Sequence, residues 1–148
     1  MLAAIAIASG EDIDTIRISA EKLEGRIWGD YNWNNATKLM QEFIDNSVAT
    51  EFDKFGEKYW GQVSKVQDYE TKREILKKLA LDMSVTKIPT KGRGFLAIQF
   101  LDTNNSHIVY YQDGWIYDSG LDDKKPVGNW TGGLGDLNGK IIWRGEIK

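Results

Sequence analysis

The sequence predicts an α+β fold, with helices in the N-terminal half and an antiparallel β-sheet in the C-terminal half. Two observations indicate this class. Apolar residues recur at helical spacing up to about residue 84, and ten of the fifteen glycines follow that point, among short apolar runs and turn residues. Because helical and strand patterns do not alternate, the strands are expected to pair antiparallel. The 148 residues suit a single domain with a sizeable core.

Helical patterns fill most of the N-terminal half. The opening "MLAAIAIASG" is apolar, and we interpret it as a buried first element or the cut edge of a longer protein. The apolar residues of "NNATKLMQEFIDN" share one helical face, and Asn35 suits the N-cap position before them. The segment "TEFDKFGEKYWGQVSKV" repeats the pattern more weakly. The strongest helix signal is "DYETKREILKKLALDMS", where Asp68 can cap the first turn.

Strand patterns dominate the C-terminal half. The segment "GFLAIQFL" is a short apolar run, and "KIIWRGEI" near the end of the chain has the same character. Between them, "SHIVYYQ" and "WIYDS" flank Asp113-Gly114, a dipeptide that favours the type I′ turn of a tight hairpin. With that turn, Tyr110 faces Tyr117, and Val109 faces Asp118. The stretch "GLDDKKPVGNWTGGLGDLNG" is predicted to be a turn-rich connection.

Composition excludes several classes of function. The net charge of -3, from 19 basic and 22 acidic residues, argues against nucleic acid as the main partner, since phosphate binding needs a basic face. The absence of cysteine excludes disulfides and thiolate metal sites, and one histidine offers little to a transition metal. We therefore expect no metal and no cofactor. No apolar run reaches the roughly 18–20 residues of a membrane span.

A histidine and an aspartate can meet on the predicted hairpin. His107 shares a sheet face with Val109, and Val109 faces Asp118. His107 and Asp118 are therefore expected to be diagonal neighbours within reach of polar side chains. An aspartate that accepts a hydrogen bond from the imidazole would orient the ring, as in a catalytic triad. The alternative is that His107 only serves the structure of the strand.

The nucleophile of such a triad would belong at a helix start. There, amide N–H groups and the helix dipole stabilise a thiolate and a developing oxyanion. With cysteine in place of Ala36, the chain would contain Asn-Asn-Cys-Thr followed by an amphipathic helix. This segment resembles the nucleophile segment of papain-like cysteine amidases and peptidases of the NlpC/P60 type. Within that group the resemblance is to the type VI secretion amidase effectors.

The order of the motifs extends this resemblance over roughly residues 33 to 120. In those effectors a Gly-His-Ile-like strand and then an aspartate follow the helix start, and here Ser106-His107-Ile108 and Asp118 take these places. Two departures are that Ala36 has no nucleophilic atom and that Ser106 replaces the glycine. The resemblance implies one papain-like domain over residues 1–148.

The resemblance also implies roles for individual residues. Position 36 would be the nucleophile, His107 the general base and acid, and Asp118 the orienting residue. Amides near Asn35 would form the oxyanion hole. The substrate would be a peptidoglycan or peptide amide, and the chain would be a secreted or delivered cell-wall toxin with a cognate immunity protein as a partner. Ala36 makes the chain inactive as written, through either an engineered Cys→Ala change or a natural loss.

Two other hypotheses remain open. Trp28, Trp33 and Trp115, which would contact the substrate in an amidase, can instead line, together with Trp130, a surface for a glycan or a protein. The chain would then be a non-catalytic binding module, a class that includes immunity and inhibitor proteins. Alternatively, these aromatic residues only pack in the hydrophobic core and have no binding role. A third hypothesis is a structural domain cut from a larger secreted or phage protein.

Overall fold

The computed structural model describes residues 1–24, 33–83, 89–117, 125–126 and 139–148. It confirms the α+β class, with helices in the N-terminal half and an antiparallel sheet in the C-terminal half. A short 3₁₀ helix, Trp60–Val63, follows the fourth helix. The elements are α1 Leu2–Ser9, α2 Ile13–Glu24, α3 Trp33–Phe43, α4 Asn46–Tyr59, α5 Tyr69–Met83, β1 Arg93–Phe100, β2 Ser106–Gln112, β3 Trp115–Tyr117, β4 Lys125–Pro126 and β5 Gly139–Ile147.

The described strands form one five-stranded antiparallel sheet in the order β4-β3-β2-β1-β5. The predicted hairpin is confirmed as β2 and β3, with Tyr110 opposite Tyr117. Asp113 and Gly114 have φ angles of 48° and 86°, the left-handed conformations that a type I′ turn needs at both central residues. The Asp113 carboxylate also accepts a hydrogen bond from the Gly92 N–H at 3.0 Å, which ties the hairpin turn to the start of β1.

Both faces of the sheet bury apolar side chains. On one face, Phe95, Ala97, Ile108 and Tyr110 share a core with residues of the helices. We call this the helix face. On the other, which we call the outer face, the alternate strand residues form a second cluster, and all its members among the described residues belong to strands: Leu96, Ile98, Phe100, Val109, Tyr111, Ile116 and Ile141. Which face a strand residue occupies therefore decides which elements it can reach.

The helices pack over β5, β1 and β2. Contacts join α4 and α5 to β5, α5 to β1, and α1 to β2, while α3 packs against α4, α2 and α1. In the α3–α4 contact the Trp33 ring lies directly on Gly56, where a Cβ atom would overlap it. The glycine that weakens α4 in isolation is thus the residue that lets α3 approach. Of the helices that the structure describes, none has the length and apolar composition to cross a membrane.

The predicted cap of α5 is confirmed. Asp68 precedes the helix, and its carboxylate accepts hydrogen bonds from the Thr71 backbone N–H at 2.8 Å and the Thr71 hydroxyl at 2.7 Å. These bonds favour the charged form, the hydroxyl bond most, and lower the pKa of Asp68 below its ordinary value of 3.8. Because the pKa is lowered in the folded state, the stabilisation is present above the ordinary pKa and lost as the pH falls through the folded-state pKa.

We therefore expect Asp68→Ala to lower the melting temperature at about pH 6, and the difference from the unsubstituted protein to vanish toward about pH 2, where the carboxylate is protonated. Thermal unfolding followed by circular dichroism across this range measures the effect. Asp68→Asn is the matched control, because asparagine caps a helix without titrating. A difference from Asp68→Ala that stays constant with pH would contradict the role of the charge.

Candidate functional site

His107 lies on the outer face of the sheet. It is the second residue of β2 and pairs with Ile98 of β1, and it shares its face with Val109 and Tyr111 of the second apolar cluster. Its neighbour Ser106 points to the helix face, where the Ser106 hydroxyl meets the Trp60 indole. The histidine is half-buried, on the side of the sheet away from the helices.

Ala36 lies on the other side of the sheet. It is in the first turn of α3, as the triad hypothesis requires, but it is only 2% exposed and belongs to the core shared by the helices and the helix face. The sheet therefore separates Ala36 from His107. The prediction that the Cβ of Ala36 points at the His107 ring is wrong in this fold, because alternation along β2 places His107 on the outer face.

Of the other candidate site residues, some lie within the described segments and some outside them. Asp118, Trp28 and Trp130 lie outside the described residues, so the predicted contact between His107 and Asp118 stays a prediction. Asn35 is the third residue of α3, which begins at Trp33, so its predicted N-cap position is wrong. Its carboxamide instead donates to a Glu24 carboxylate oxygen at 2.9 Å and links α3 to the end of α2. Asn35 thus has a structural partner, while the oxyanion-hole role of the nearby amides stays a prediction.

Of the two described aromatic residues that were predicted to bind substrate, Trp115 is the one presented to solvent. Trp33 is half-buried against Gly56, whereas Trp115 is 43% exposed at the start of β3. Trp115 pairs with Gln112, which pairs in turn with Arg93, and all three are exposed. Directly opposed residues in antiparallel strands have Cβ atoms roughly 5 Å apart. The three side chains therefore form a continuous row across the helix face at one end of the sheet, which we call the Trp115 row.

A second aromatic row, of which Phe95 and Tyr110 are buried and Tyr117 is half-buried, lies beside the Trp115 row on the helix face. Two residues further along each strand, Tyr110 lies opposite both Phe95 and Tyr117. The ring centroids are 6.4 Å apart for Phe95 and Tyr110 and 5.7 Å apart for Tyr110 and Tyr117. The Tyr110 hydroxyl donates to the Gln112 carboxamide oxygen at 2.9 Å. This bond orients the amide, and the packed rings hold the strands that carry the row.

The end of α1 holds the third member of the Trp115 row. The Arg93 guanidinium donates to the Ala8 carbonyl oxygen at 2.8 Å, near the point where α1 ends at Ser9. A guanidinium carries five N–H donors in a planar fork, so one bond to a carbonyl leaves a geometry suited to a carboxylate. The row thus combines a flat apolar surface, an oriented amide and a positioned cation.

A buried polar network, missed by the sequence analysis, joins the helices to the sheet. Gln99 of β1 is fully buried, and its side-chain oxygen accepts hydrogen bonds from the Ser106 hydroxyl at 2.8 Å and the Tyr59 hydroxyl at 3.0 Å. The Trp60 indole N–H donates to Ser106 at 3.2 Å. Burial raises the pKa of Tyr59, so its hydroxyl stays protonated as a donor. The signal in the sequence was a lone glutamine in an otherwise apolar strand, which must find partners when buried.

The network also constrains Ser106 chemically. Its hydroxyl proton is directed to the Gln99 carboxamide and its oxygen accepts from Trp60, so it is held as a structural bridge. His107 points to the opposite face and does not meet this hydroxyl through the sheet. No protein-family model, curated protein or solved structure matches this chain, so the site is interpreted from its own geometry.

Proposed function

We propose that this protein is a non-catalytic binding module that recognises a protein partner through the Trp115 row. The observation that carries the proposal is the exposure of Trp115, Gln112 and Arg93 side by side across three strands. Tryptophan and arginine are among the residues that dominate binding energy in protein interfaces. The hydrogen bonds that orient Gln112 and Arg93 lower the entropy lost on binding, because oriented side chains have less freedom to lose.

The side chains of the Trp115 row indicate which chemical groups a partner surface should carry. Trp115 offers a flat surface that an apolar or aromatic side chain of a partner can cover. Arg93 lies across Gln112 from it and favours a carboxylate, which can accept two parallel N–H bonds from a guanidinium. We therefore expect a partner surface in which an apolar anchor lies beside an acidic side chain. This is one of the binding hypotheses raised by the aromatic residues of the sequence, now centred on Trp115.

The amidase hypothesis has less support from the geometry. It needs the first turn of α3 and the imidazole of His107 to converge on one substrate bond, within hydrogen-bond reach of about 2.6–3.2 Å. Ala36 is buried in the core between the helices and the helix face, whereas His107 lies on the outer face. A substrate would therefore have to cross the sheet to meet both residues. A binding surface needs no such convergence.

A selection from random peptides tests the proposal. We expect a phage-displayed peptide library, panned on the purified protein, to enrich sequences that combine an apolar and an acidic residue. Trp115→Ala should weaken binding of an enriched peptide at least about tenfold, as loss of an interface hot spot typically does. Fluorescence anisotropy of the labelled peptide measures the change.

Tyr69→Ala is the matched control, because Tyr69 is 54% exposed on α5 and is an aromatic residue outside the row. It should leave the affinity unchanged. Arg93→Gln should reduce binding of peptides that contain an acidic residue and have little effect on those that lack one. Glycan-array binding that depends on Trp115, without peptide enrichment, would contradict a protein partner. Binding that survives Trp115→Ala would contradict the site itself.

A further inference from the structure

The helix layer of the described fold stops short of one side of the sheet. The principal contacts between helices and strands are those of α4 and α5 with β5, of α5 with β1 and of α1 with β2. Among the described residues, no helix has contacts of this extent with β3, the strand beyond β2. The helix face of β3 carries Trp115 and Tyr117, whose strand partners Gln112 and Tyr110 lie on the same face. These two side chains therefore form an apolar floor beside α1.

One flank of α1 is directed toward this floor. Leu2 and Ala6 lie on the flank that packs against the core shared by the helices and the sheet. Ile7 lies on the other flank, since successive residues of an α-helix are about 100° apart, and it is 43% exposed. The other helices that contact the sheet, α4 and α5, lie over β1 and β5, on the opposite side of β2 from β3. The flank that carries Ile7 therefore faces β3.

Ile7 and Trp115 lie near the same end of the sheet. The Arg93 guanidinium donates to the carbonyl oxygen of Ala8, the residue after Ile7, at 2.8 Å. Arg93 and Trp115 are separated by one strand, and neighbouring strands are about 4.8 Å apart. Ile7 and Trp115 are each 43% exposed. We call Ile7, Trp115 and Tyr117 together the β3 shelf, in which Ile7 is the wall and the two rings are the floor.

Two cations lie at this end of the β3 shelf. Lys91 is exposed beside the hairpin turn, because the next residue, Gly92, donates its N–H to the Asp113 carboxylate at 3.0 Å and accepts the Asp113 N–H at 2.8 Å. Arg93 follows as the first residue of β1. The Asp113 carboxylate is already bonded to the backbone. Lys91 and Arg93 therefore favour acidic groups on whatever covers the shelf.

We propose that the β3 shelf receives an amphipathic helix of a partner protein, which continues the helix layer beside α1. This inference rests on the proposed binding function of the Trp115 row and specifies the form of the partner. Packed helices have axes about 8–10 Å apart and strands are about 4.8 Å apart, so a helix beside α1 lies over β3 and β4. Its apolar stripe covers Ile7 and Trp115, and an acidic residue beside the stripe meets Lys91 or Arg93.

A helix fits this side of the sheet better than an added strand. Among the described strands, the one at this edge is β4, which spans only Lys125–Pro126. Proline has no backbone N–H, and so short an edge offers few groups that a partner strand can bond. The exposed apolar groups are instead the side chain of Trp115 on the sheet and that of Ile7 on α1. A wall and a floor of side chains are what an amphipathic helix covers when it binds in a groove.

Panning a phage library of peptides about 18 residues long tests the inference, since this length is sufficient for an isolated helix. We expect the enriched sequences to repeat apolar residues at three- and four-residue spacing, with an acidic residue beside them. An enriched peptide should gain helical circular dichroism when it binds the protein. Proline in the middle of the peptide should weaken binding at least about tenfold, whereas proline at its first helical position should have no effect.

Substitutions in the protein test the wall and the charges. Ile7→Ala should weaken binding of these peptides at least about fivefold, because it removes an apolar contact while alanine preserves the helix. Ile18→Ala is the matched control, since Ile18 is 52% exposed on α2 and should leave the affinity unchanged. Lys91→Glu should weaken binding of peptides that contain an acidic residue. Lys77→Glu, the same charge change at an exposed position of α5, should not.

The possible results separate this inference from the proposed function. Binding that depends on Trp115 but tolerates the central proline, or does not depend on Ile7, would overturn the helix and leave the binding function of the Trp115 row standing. Absence of any enrichment that depends on Trp115 would overturn both. A dimer in sedimentation velocity that Ile7→Ala and Trp115→Ala dissociate, without peptide enrichment, would make a second copy of the chain the occupant and overturn the partner helix.

Discussion

Gln99→Leu is expected to destabilise the protein by about 1–3 kcal/mol, although leucine is similar in size to glutamine and the site is buried. The Gln99 side-chain oxygen accepts from the Ser106 and Tyr59 hydroxyls. Its nitrogen lies 3.2 Å from the Phe100 carbonyl and 3.0 Å from the Asn105 carbonyl, at the two ends of the loop between β1 and β2. Gln99→Leu removes the hydrogen bonds of the side-chain oxygen and those of the side-chain nitrogen together.

The size of the effect follows from what remains unpaired. A buried polar group that loses its partner costs about 1–3 kcal/mol, and Gln99→Leu leaves the Ser106 hydroxyl proton without its acceptor. The Asn105 and Phe100 carbonyls keep hydrogen bonds from the Phe100 and Thr103 N–H groups. Tyr59 keeps its contact with the Leu76 carbonyl at 3.2 Å, which limits the loss at that end. Because small domains are stable by only about 5–15 kcal/mol, a loss of this size is readily measured.

Urea unfolding followed by circular dichroism measures the free energy of unfolding directly. Gln41→Leu is the matched control, since Gln41 is exposed on α3 and its replacement should change stability by less than about 0.5 kcal/mol. A loss from Gln99→Leu that is no greater than that from Gln41→Leu would show that the network contributes nothing to stability.

Local signals made much of the fold predictable. The β2–β3 hairpin follows from Asp113-Gly114, whose turn preference fixes the register within a few residues of sequence. The α5 cap follows from Asp68 in the same way. Helix α2 escaped prediction because its apolar residues lack one clean stripe: Ile16 is fully buried, whereas Ile13 and Ile18 are 44% and 52% exposed. Tertiary packing, rather than periodicity, decides which of these residues the core uses.

The candidate triad depended on a feature of the fold that local sequence signals do not determine, namely which face of the sheet packs against the helices. The hairpin register puts His107 and Val109 on one face, but nothing in the hairpin says which face meets the helices. In most antiparallel sheets one face is polar and the other apolar, and the apolar face identifies the core. Here Ile108 on the helix face and Val109 on the outer face are both buried. The side of the sheet on which His107 lies was therefore undetermined until the packing of the helices was known.

The row now proposed as the binding surface was only partly visible in the sequence. Trp115 was a candidate, because an exposed aromatic side chain can line a surface for a glycan or a protein. Arg93 was not, because its place in the row depends on the pairing of β1 with β2, two strands whose register is set by tertiary contacts. Registers between strands separated by longer connections are the part of a site that sequence patterns predict least well.

Ala36→Cys is expected to give a buried, unreactive thiol, which separates the binding hypothesis from the amidase hypothesis. A catalytic cysteine at a helix start would have a lowered pKa and react rapidly with iodoacetamide near neutral pH. Position 36 is 2% exposed and surrounded by the apolar core, which favours the neutral thiol and blocks access. Reaction then requires local opening, and each 1.4 kcal/mol of opening free energy slows it tenfold.

We therefore expect the new thiol to react at least about a hundredfold more slowly in the native protein than after denaturation in urea. Asn34→Cys is the matched control, because Asn34 is exposed in the first turn of the same helix and shares its dipole. That thiol should react readily in the native state. His107→Ala should not change the rate at position 36, since the sheet lies between the two residues. A rapid reaction at position 36 that His107→Ala abolishes, together with cleavage of peptidoglycan fragments, would instead support the amidase hypothesis and require a different arrangement of α3 and β2.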